Sequence, residues 1–213
     1  MLNRTIRRRA VDESQALPGD LHPLLKRLYS NRGVNEADDL DLGLAKLIPV
    51  SRLSGIDAAV DLLCEHFRSG SRIVVVGDFD ADGATSTALV VRQLRRLGFK
   101  QVDFLVPNRF QYGYGLTPEI VQLAAESKPA LIVTVDNGIS SHAGVAMATS
   151  LGIQTLITDH HLSPATLPAA NAIVNPNAPG DTFPSKALAG VGVAFYLMAA
   201  LTRTMQERGL CVN

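Results

Sequence analysis

The stretch Arg72-Ile-Val-Val-Val-Gly-Asp-Phe-Asp-Ala-Asp-Gly-Ala-Thr-Ser86 passes from an apolar run to three carboxylates and then to a glycine at a helix start. The β-branched residues Ile73 to Val76 read as a strand buried on both faces. Asp78, Asp80 and Asp82 follow at alternate positions. Two carboxylates about 4 Å apart repel by roughly 4 kcal/mol at an effective dielectric near 20. A protein that gathers them places a cation between them or protonates one. Alternate side chains of an extended segment point to one side, so the spacing aims three oxygen ligands at about one point, as a hard divalent cation needs. Asp82 has a second reading, because an Asp before Gly83-Ala84 is also a good helix N-cap.

Working outward, short β-branched runs alternate with helical periods. The runs are Ile73–Val76, Val102–Val106, Leu131–Val135, Ile153–Ile157 and Ala172–Val174. Helices are expected over Ala84–Leu97, Pro118–Glu126, Ser141–Ser150 and Leu188–Arg208. This alternation predicts an α/β fold: a doubly wound, mainly parallel sheet with helices on both faces. Upstream, Ile56, Ala59, Val60, Leu63 and Phe67 mark an amphipathic helix that ends at Ser69-Gly70. Leu21, Leu24, Leu25 and Leu28 form another helical stripe, and Asn35 is placed to cap a short helix over Glu36–Lys46. Pro49 and Ser54-Gly55 mark a boundary. Residues 1–54 are expected to form an arm, with Arg4, Arg7, Arg8 and Arg9 at its start, followed by short helices. Residues 55–213 are expected to form the main domain.

In doubly wound sheets ligands sit beyond the carboxyl ends of the strands. Unusual polar residues fall there three times: Asp78, Asp80 and Asp82 after the first run, Asp136-Asn137-Gly138 after the third, and Asp159-His160-His161 after the fourth. Asp-Asn-Gly alone is a turn signature, and a lone His is more often a core or surface residue. Co-location at strand ends is what favours ligands. Carboxylates with imidazoles suit Mn²⁺ or another divalent ion, and the lack of thiolates argues against structural zinc. Two such ions roughly 3.5–4 Å apart would clamp an in-line phosphoryl displacement, with Asp136 best placed to bridge them. Gly77, Gly83 and Gly138 would let backbone amides approach phosphate oxygens, as would the helix start at Ala84. Gly190 and Gly192 admit either a phosphate-facing role or close helix packing.

The bulk composition fits this picture. The 213 residues are 46% hydrophobic and only 5% aromatic, so the core is aliphatic. Lys+Arg equals Asp+Glu at 20 each, which gives no global basic field for a polyanion. The two cysteines, Cys64 and Cys211, are far apart and lack metal-ligand spacing. The arginine-rich start has no apolar stretch behind it and is not a secretory signal. The longest uncharged apolar run, Ala187–Leu201, falls short of the ~20 residues of a membrane span. A cytoplasmic location is expected, with no membrane partner.

The order Asp-x-Asp, then Asp136, then Asp159-His160-His161 resembles the DHH phosphoesterase family. Val76-Gly-Asp-Phe-Asp-Ala-Asp-Gly83, Val106-Pro-Asn-Arg-Phe110, Gly113-Tyr-Gly-Leu116, Val135-Asp-Asn-Gly-Ile-Ser140, Thr158-Asp-His-His161 and Leu188-Ala-Gly-Val-Gly-Val-Ala-Phe-Tyr-Leu197 are similar to its bacterial single-strand-specific 5′→3′ DNA exonucleases. That resemblance implies that Asp78 and Asp80 bind metal, that Asp136 bridges two ions, that His160 is a ligand and that His161 faces the scissile phosphate. Arg109 and Tyr114 would lie on the DNA path, with Gly83 near the phosphates. Asp82 joins His161 and Asp136 among the catalytic candidates, and Asp159, Asn137 and Gly138 would shape the site. The implied cofactors are Mn²⁺ or Mg²⁺. The implied partners are single-stranded DNA, a helicase and a single-strand-binding protein, and the implied setting is DNA repair and recombination.

Two departures stand out. Many relatives carry a His four positions before the first motif Asp, where this chain has Val74; either Asp82 substitutes or one ion is held weakly. The family's fourth motif, an Asp in a later apolar segment, does not occur before Asn213, so the chain is expected to be an amino-terminal portion. Two other functions compete with the exonuclease reading. One is a phosphodiesterase acting on short oligonucleotides or cyclic dinucleotides, which the neutral charge favours. The other is a catalytically incomplete metal-binding fragment.

Overall fold

The computed structural model describes residues 7, 10 and 17–210; much of the expected arginine-rich arm, including Arg4, Arg8 and Arg9, and Cys211 fall outside them. The chain divides into two compact units, residues 1–48 and 49–213. The break expected after Ser54 thus falls after Ile48. The residues between belong to the second unit: Leu53 is buried, and the Ser54 N–H donates to Asp181 Oδ2 at 2.9 Å.

In the first unit, helix α1 spans Pro23–Ser30, and the His22 side chain accepts from the Leu24 N–H at its start. The single helix expected over Glu36–Lys46 is replaced by two short 3₁₀ turns, Ala37–Leu40 and Leu44–Lys46. The Asp39 carboxylate accepts from the Asn35 and Glu36 N–H groups, and Gly43 interrupts the run, where glycine costs a helix about 1 kcal/mol.

The second unit carries α2 (Ile56–Ser69), β1 (Ile73–Val76), α3 (Ala81–Arg96), β2 (Val102–Leu105), α4 (Arg109–Tyr112), α5 (Pro118–Ala125), β3 (Leu131–Val135), α6 (His142–Ser150), β4 (Gln154–Thr158), β5 (Ala172–Val174) and α7 (Gly190–Glu207). The strands form one all-parallel sheet in the order β2-β1-β3-β4-β5. The order reverses between β1 and β3, and a crevice opens at such a reversal beyond the strands' carboxyl ends.

The central strands β1 and β3 are buried along their whole length because both faces are covered, whereas the edge strand β2 is partly exposed. Val74 and Val76 of β1, Ile132 of β3 and Ile157 of β4 pack with Leu116, Ile120, Val121, Val145 and Ala148 on the side of α5 and α6. Helices α2 and α3 both pack against α7 in a second group. Each fully buried Val, Ile or Leu contributes roughly 1.5–3 kcal/mol. Among the described residues no helix is long and apolar enough to cross a membrane.

One boundary shift bears on the site. Helix α3 begins at Ala81, three residues before its expected start, and its N-cap is Asp80, not Asp82: Asp80 Oδ1 accepts the Gly83 N–H at 3.0 Å. Asp82 therefore sits in the first helical turn. The three aspartates thus do not lie on one extended segment.

Candidate metal centre

Asp78, Asp80 and Asp136 each offer a carboxylate oxygen within 4.8 Å of the others, and Asp136, His160 and His161 form a second such group. The two triads share Asp136. They assemble from the ends of β1, β3 and β4, the expected place at the strand-order reversal.

Asp136 is the most constrained member. It is only 2% exposed, and its backbone takes φ 63°, a left-handed conformation unusual for a residue with a side chain. Such strain costs about 1–3 kcal/mol and persists where the surroundings impose it. Its N–H donates to Thr158 O of β4 at 3.0 Å. One buried oxygen, Oδ1, accepts no hydrogen bond, although His160 Nε2 lies 3.1 Å away. Burial, reinforced by the charges of Asp82 and Asp80, pushes the Asp136 carboxyl up to about 7. An unsatisfied buried carboxylate oxygen facing two other acids and two imidazoles fits a divalent cation; without one, a proton must serve.

Asn137 closes the turn behind it, donating through Nδ2 to Val135 O at 2.9 Å and to Val76 O at 3.2 Å. That side chain ties the ends of β3 and β1 together. Gly138 continues the turn with φ 113°.

Asp159 is 1% exposed and organises the histidine pair. Its Oδ1 accepts from the His160 N–H at 2.7 Å and from the His161 N–H at 3.1 Å. His161 Nδ1 donates to the same oxygen at 2.7 Å, and the Ile139 N–H donates to Oδ2 at 2.9 Å. Burial alone would push the Asp159 carboxyl up; the hydrogen bonds from His161 and Ile139 hold it below its ordinary value. In return, Asp159 holds the His161 imidazole above its ordinary range. The Tyr114 hydroxyl lies 3.2 Å from His161 Nε2 and 3.4 Å from Asp136 O.

Asp82 departs from its expected role. Its two oxygens accept the N–H groups of Gly190 at 2.8 Å and Val191 at 2.7 Å, capping α7. It stands 3.7 Å from His160 Nε2. Its geometry is that of an anchor for α7, not of a replacement for the histidine absent at Val74, which is buried in the core. The Gly83 N–H, expected to face phosphate, is already taken by Asp80. Arg109 opens α4, and its side chain lies outside the described residues.

Two residues at the site went unread in the sequence. Asn175 Nδ2 donates to His161 O at 3.0 Å, and Asn177 Nδ2 donates to His160 O at 2.6 Å. The signal was present as Asn175-Pro176-Asn177 directly after β5, another polar group at a strand end.

Residues 72–211 match the family model described as the DHH family, N-terminal domain. The chain is 58% identical over 204 residues to the single-stranded-DNA-specific exonuclease RecJ of Escherichia coli K12, covering 96% of this chain and 35% of that protein. Among solved structures it resembles exonuclease RecJ bound to manganese, with TM-score 0.67 and 38% identity over 75% of this chain and 40% of that one. It also resembles RecJ in complex with Mn²⁺ from Thermus thermophilus, with TM-score 0.67 and 36% identity over 84% of this chain and 24% of that one. The chain thus spans about a third of the length of this curated relative, the RecJ of Escherichia coli. With its strand-end carboxylates, its Asp-His-His triplet and the family match over residues 72–211, the chain belongs to the DHH family.

Proposed function

We propose that this chain carries the metal-binding half of a 5′→3′ exonuclease specific for single-stranded DNA, which hydrolyses phosphodiester bonds and releases 5′-mononucleotides in DNA repair and recombination. The observation that carries the reading is the pair of ligand triads sharing Asp136. The RecJ relatives named for this activity, and the manganese-bound RecJ structures, support it.

Asp78 and Asp80 would hold one divalent ion, Mn²⁺ or Mg²⁺, His160 a second, and Asp136 both. Bound ions at such a site supply a water of lowered pKa and neutralise charge on the phosphoryl group. The chain's own residues do the rest. Asp159 fixes His161 in one tautomer, with Nδ1 carrying the proton and Nε2 turned toward the substrate side. Tyr114 brackets that imidazole from the opposite loop. Asn175 and Asn177 hold the backbone of the histidine pair. Arg109 would meet the DNA backbone. The remaining length of such an enzyme would supply further strand contacts, and a helicase and a single-strand-binding protein would be its working partners in the cytoplasm.

The test is hydrolysis of 5′-tailed single strands with Mn²⁺ by this chain and by the chain extended to its relatives' full length. Asp136→Ala should lower the rate at least 10³-fold; an unchanged rate would show the reading to be wrong. Competition between long strands and dinucleotides separates it from the small-substrate phosphodiesterase that the neutral charge favours.

A further inference from the structure

We propose that a cavity beside His161 receives the nucleoside of the terminal nucleotide, the unit to be released, while its phosphate lies at the shared carboxylate–imidazole cluster. This inference rests on the exonuclease reading above. The cavity, of about 280 Å³, lies between the loop leading into α5 and the loop leading into α6, and it includes Tyr114, Asp159 and His161 of the site. That volume is near the lower end of ordinary small-ligand sites, roughly 300–1,000 Å³. It suits one nucleoside, not a dinucleotide.

The chemistry of the walls selects the group. Tyr114, Pro118 and Ala143 supply accessible apolar surface over the buried Leu116 and Ile139, and Thr117, Ser140 and Ser141 supply hydroxyls. Among the described residues no Lys or Arg lines the cavity, and its one carboxylate, Asp159, is engaged by Ile139 and the histidine pair. A phosphodiester backbone would find neither of those cations there, only the imidazoles of His142 and His161. A neutral, flat base with a sugar hydroxyl would find apolar contact and hydrogen-bonding partners. The half-exposed ring of Tyr114 stands at the edge nearest His161, where base–aromatic stacking contributes to holding single strands.

The walls are fixed before any ligand arrives. The Leu116 N–H donates to Ser141 Oγ at 3.0 Å, joining the two loops. Gly144 presses so closely on the Leu116 carbonyl that a β-carbon there would come within 1.9 Å of its oxygen. The Tyr114 hydroxyl reaches His161 and the Asp136 carbonyl. A preformed pocket loses less ordering entropy on binding, so the released mononucleotide should itself bind.

Ala143 and Ser140 are exposed residues of this cavity. In Mn²⁺, calorimetric titration of a 2′-deoxynucleoside 5′-monophosphate into Ala143→Trp should show at least tenfold weaker binding than the unaltered chain. Ala146→Trp, on the same helix but outside the cavity, should bind as the unaltered chain does. Ser140→Trp obstructs from the loop leading into that helix and should repeat the loss should Ala143→Trp fail to fold. Equal mononucleotide affinity in folded Ala143→Trp and Ser140→Trp would overturn the nucleoside pocket while leaving exonuclease activity standing. Failure of the unaltered, extended protein to release mononucleotides from single strands would instead overturn the reading on which the pocket rests.

Discussion

Gly190 lies directly against Asp136: a β-carbon at position 190 would come within 2.4 Å of the Asp136 Oδ1 and 2.9 Å of its Cβ. The first residue of α7 is a glycine because the shared carboxylate occupies the space a side chain would need. Gly190→Ala must push that carboxylate aside or back α7 away. Overpacking of this kind costs about 1–3 kcal/mol, and displacing a first ligand by even a few tenths of an ångström weakens metal binding. The expected result is a Mn²⁺ affinity reduced at least tenfold by calorimetry, with the protein still folded. Wild-type affinity in Gly190→Ala would mean that Asp136 is not a ligand.

Asp82 secures the same contact from the other side. It accepts two N–H groups at the start of α7, a charge-assisted cap of the kind that contributes roughly 1–2 kcal/mol. Asp82→Ala should lower the free energy of unfolding by about that amount, and Asp82→Asn, which keeps one acceptor, should lose less. Denaturant titration reads both. Because the cap presses Gly190 toward Asp136, metal affinity should fall in the same order. A loss of metal affinity with no loss of stability would favour direct ligation by Asp82 instead.

The sheet was legible because parallel strands buried on both faces leave continuous runs such as Ile73–Val76 and Leu131–Val135, which helices on either side require. The clustering of the candidate site was legible because Asp78, Asp136 and His160 each follow such a run. What stayed hidden depends on contacts distant in sequence. Asp82 looked like a ligand or an N-cap from its spacing, yet its partners lie 108 and 109 residues away. The start of α3 was misplaced because Gly83 reads as a break; Asp80 caps the helix early and carries that glycine within the first turn. The short 3₁₀ turns near Asp39 escaped because local carboxylate–amide bonds replaced the helical ladder there.

Asp136 gives the site a pH dependence. Its carboxyl is raised to about 7 in the metal-free protein, by burial first and then by Asp82 and Asp80. Below that value a proton occupies the place a cation needs, so Mn²⁺ affinity should rise up to tenfold per pH unit toward 7 and level off above it. The stability sign is the reverse. A raised acid contributes stability that is full below its unfolded value near 4 and is lost as the pH rises through about 7. The metal-free protein should therefore lose up to about 1.4 kcal/mol per pH unit across that window. Asp136→Asn should flatten this slope. Parallel slopes in both proteins, measured by denaturant unfolding in chelator, would assign the titration to another group.

Asp159 offers a last test, because its function is to hold others in place. One carboxylate receives the N–H groups of His160, His161 and Ile139 and the His161 Nδ1 proton. Asp159→Asn keeps the size but removes the charge and one acceptor pattern, so the His161 imidazole should drop toward its ordinary pKa. Nitrogen-15 chemical shifts of the imidazole would record both that fall and any change of tautomer. Partners of this sort typically account for 10–100-fold in metal affinity or activity, so the variant should lose that much in Mn²⁺ binding. Asp159→Ala should lose more, because three buried or half-buried N–H groups then lack an acceptor at about 1–3 kcal/mol each. Unaltered imidazole shifts in Asp159→Asn would mean that His161 takes its orientation from Tyr114 instead.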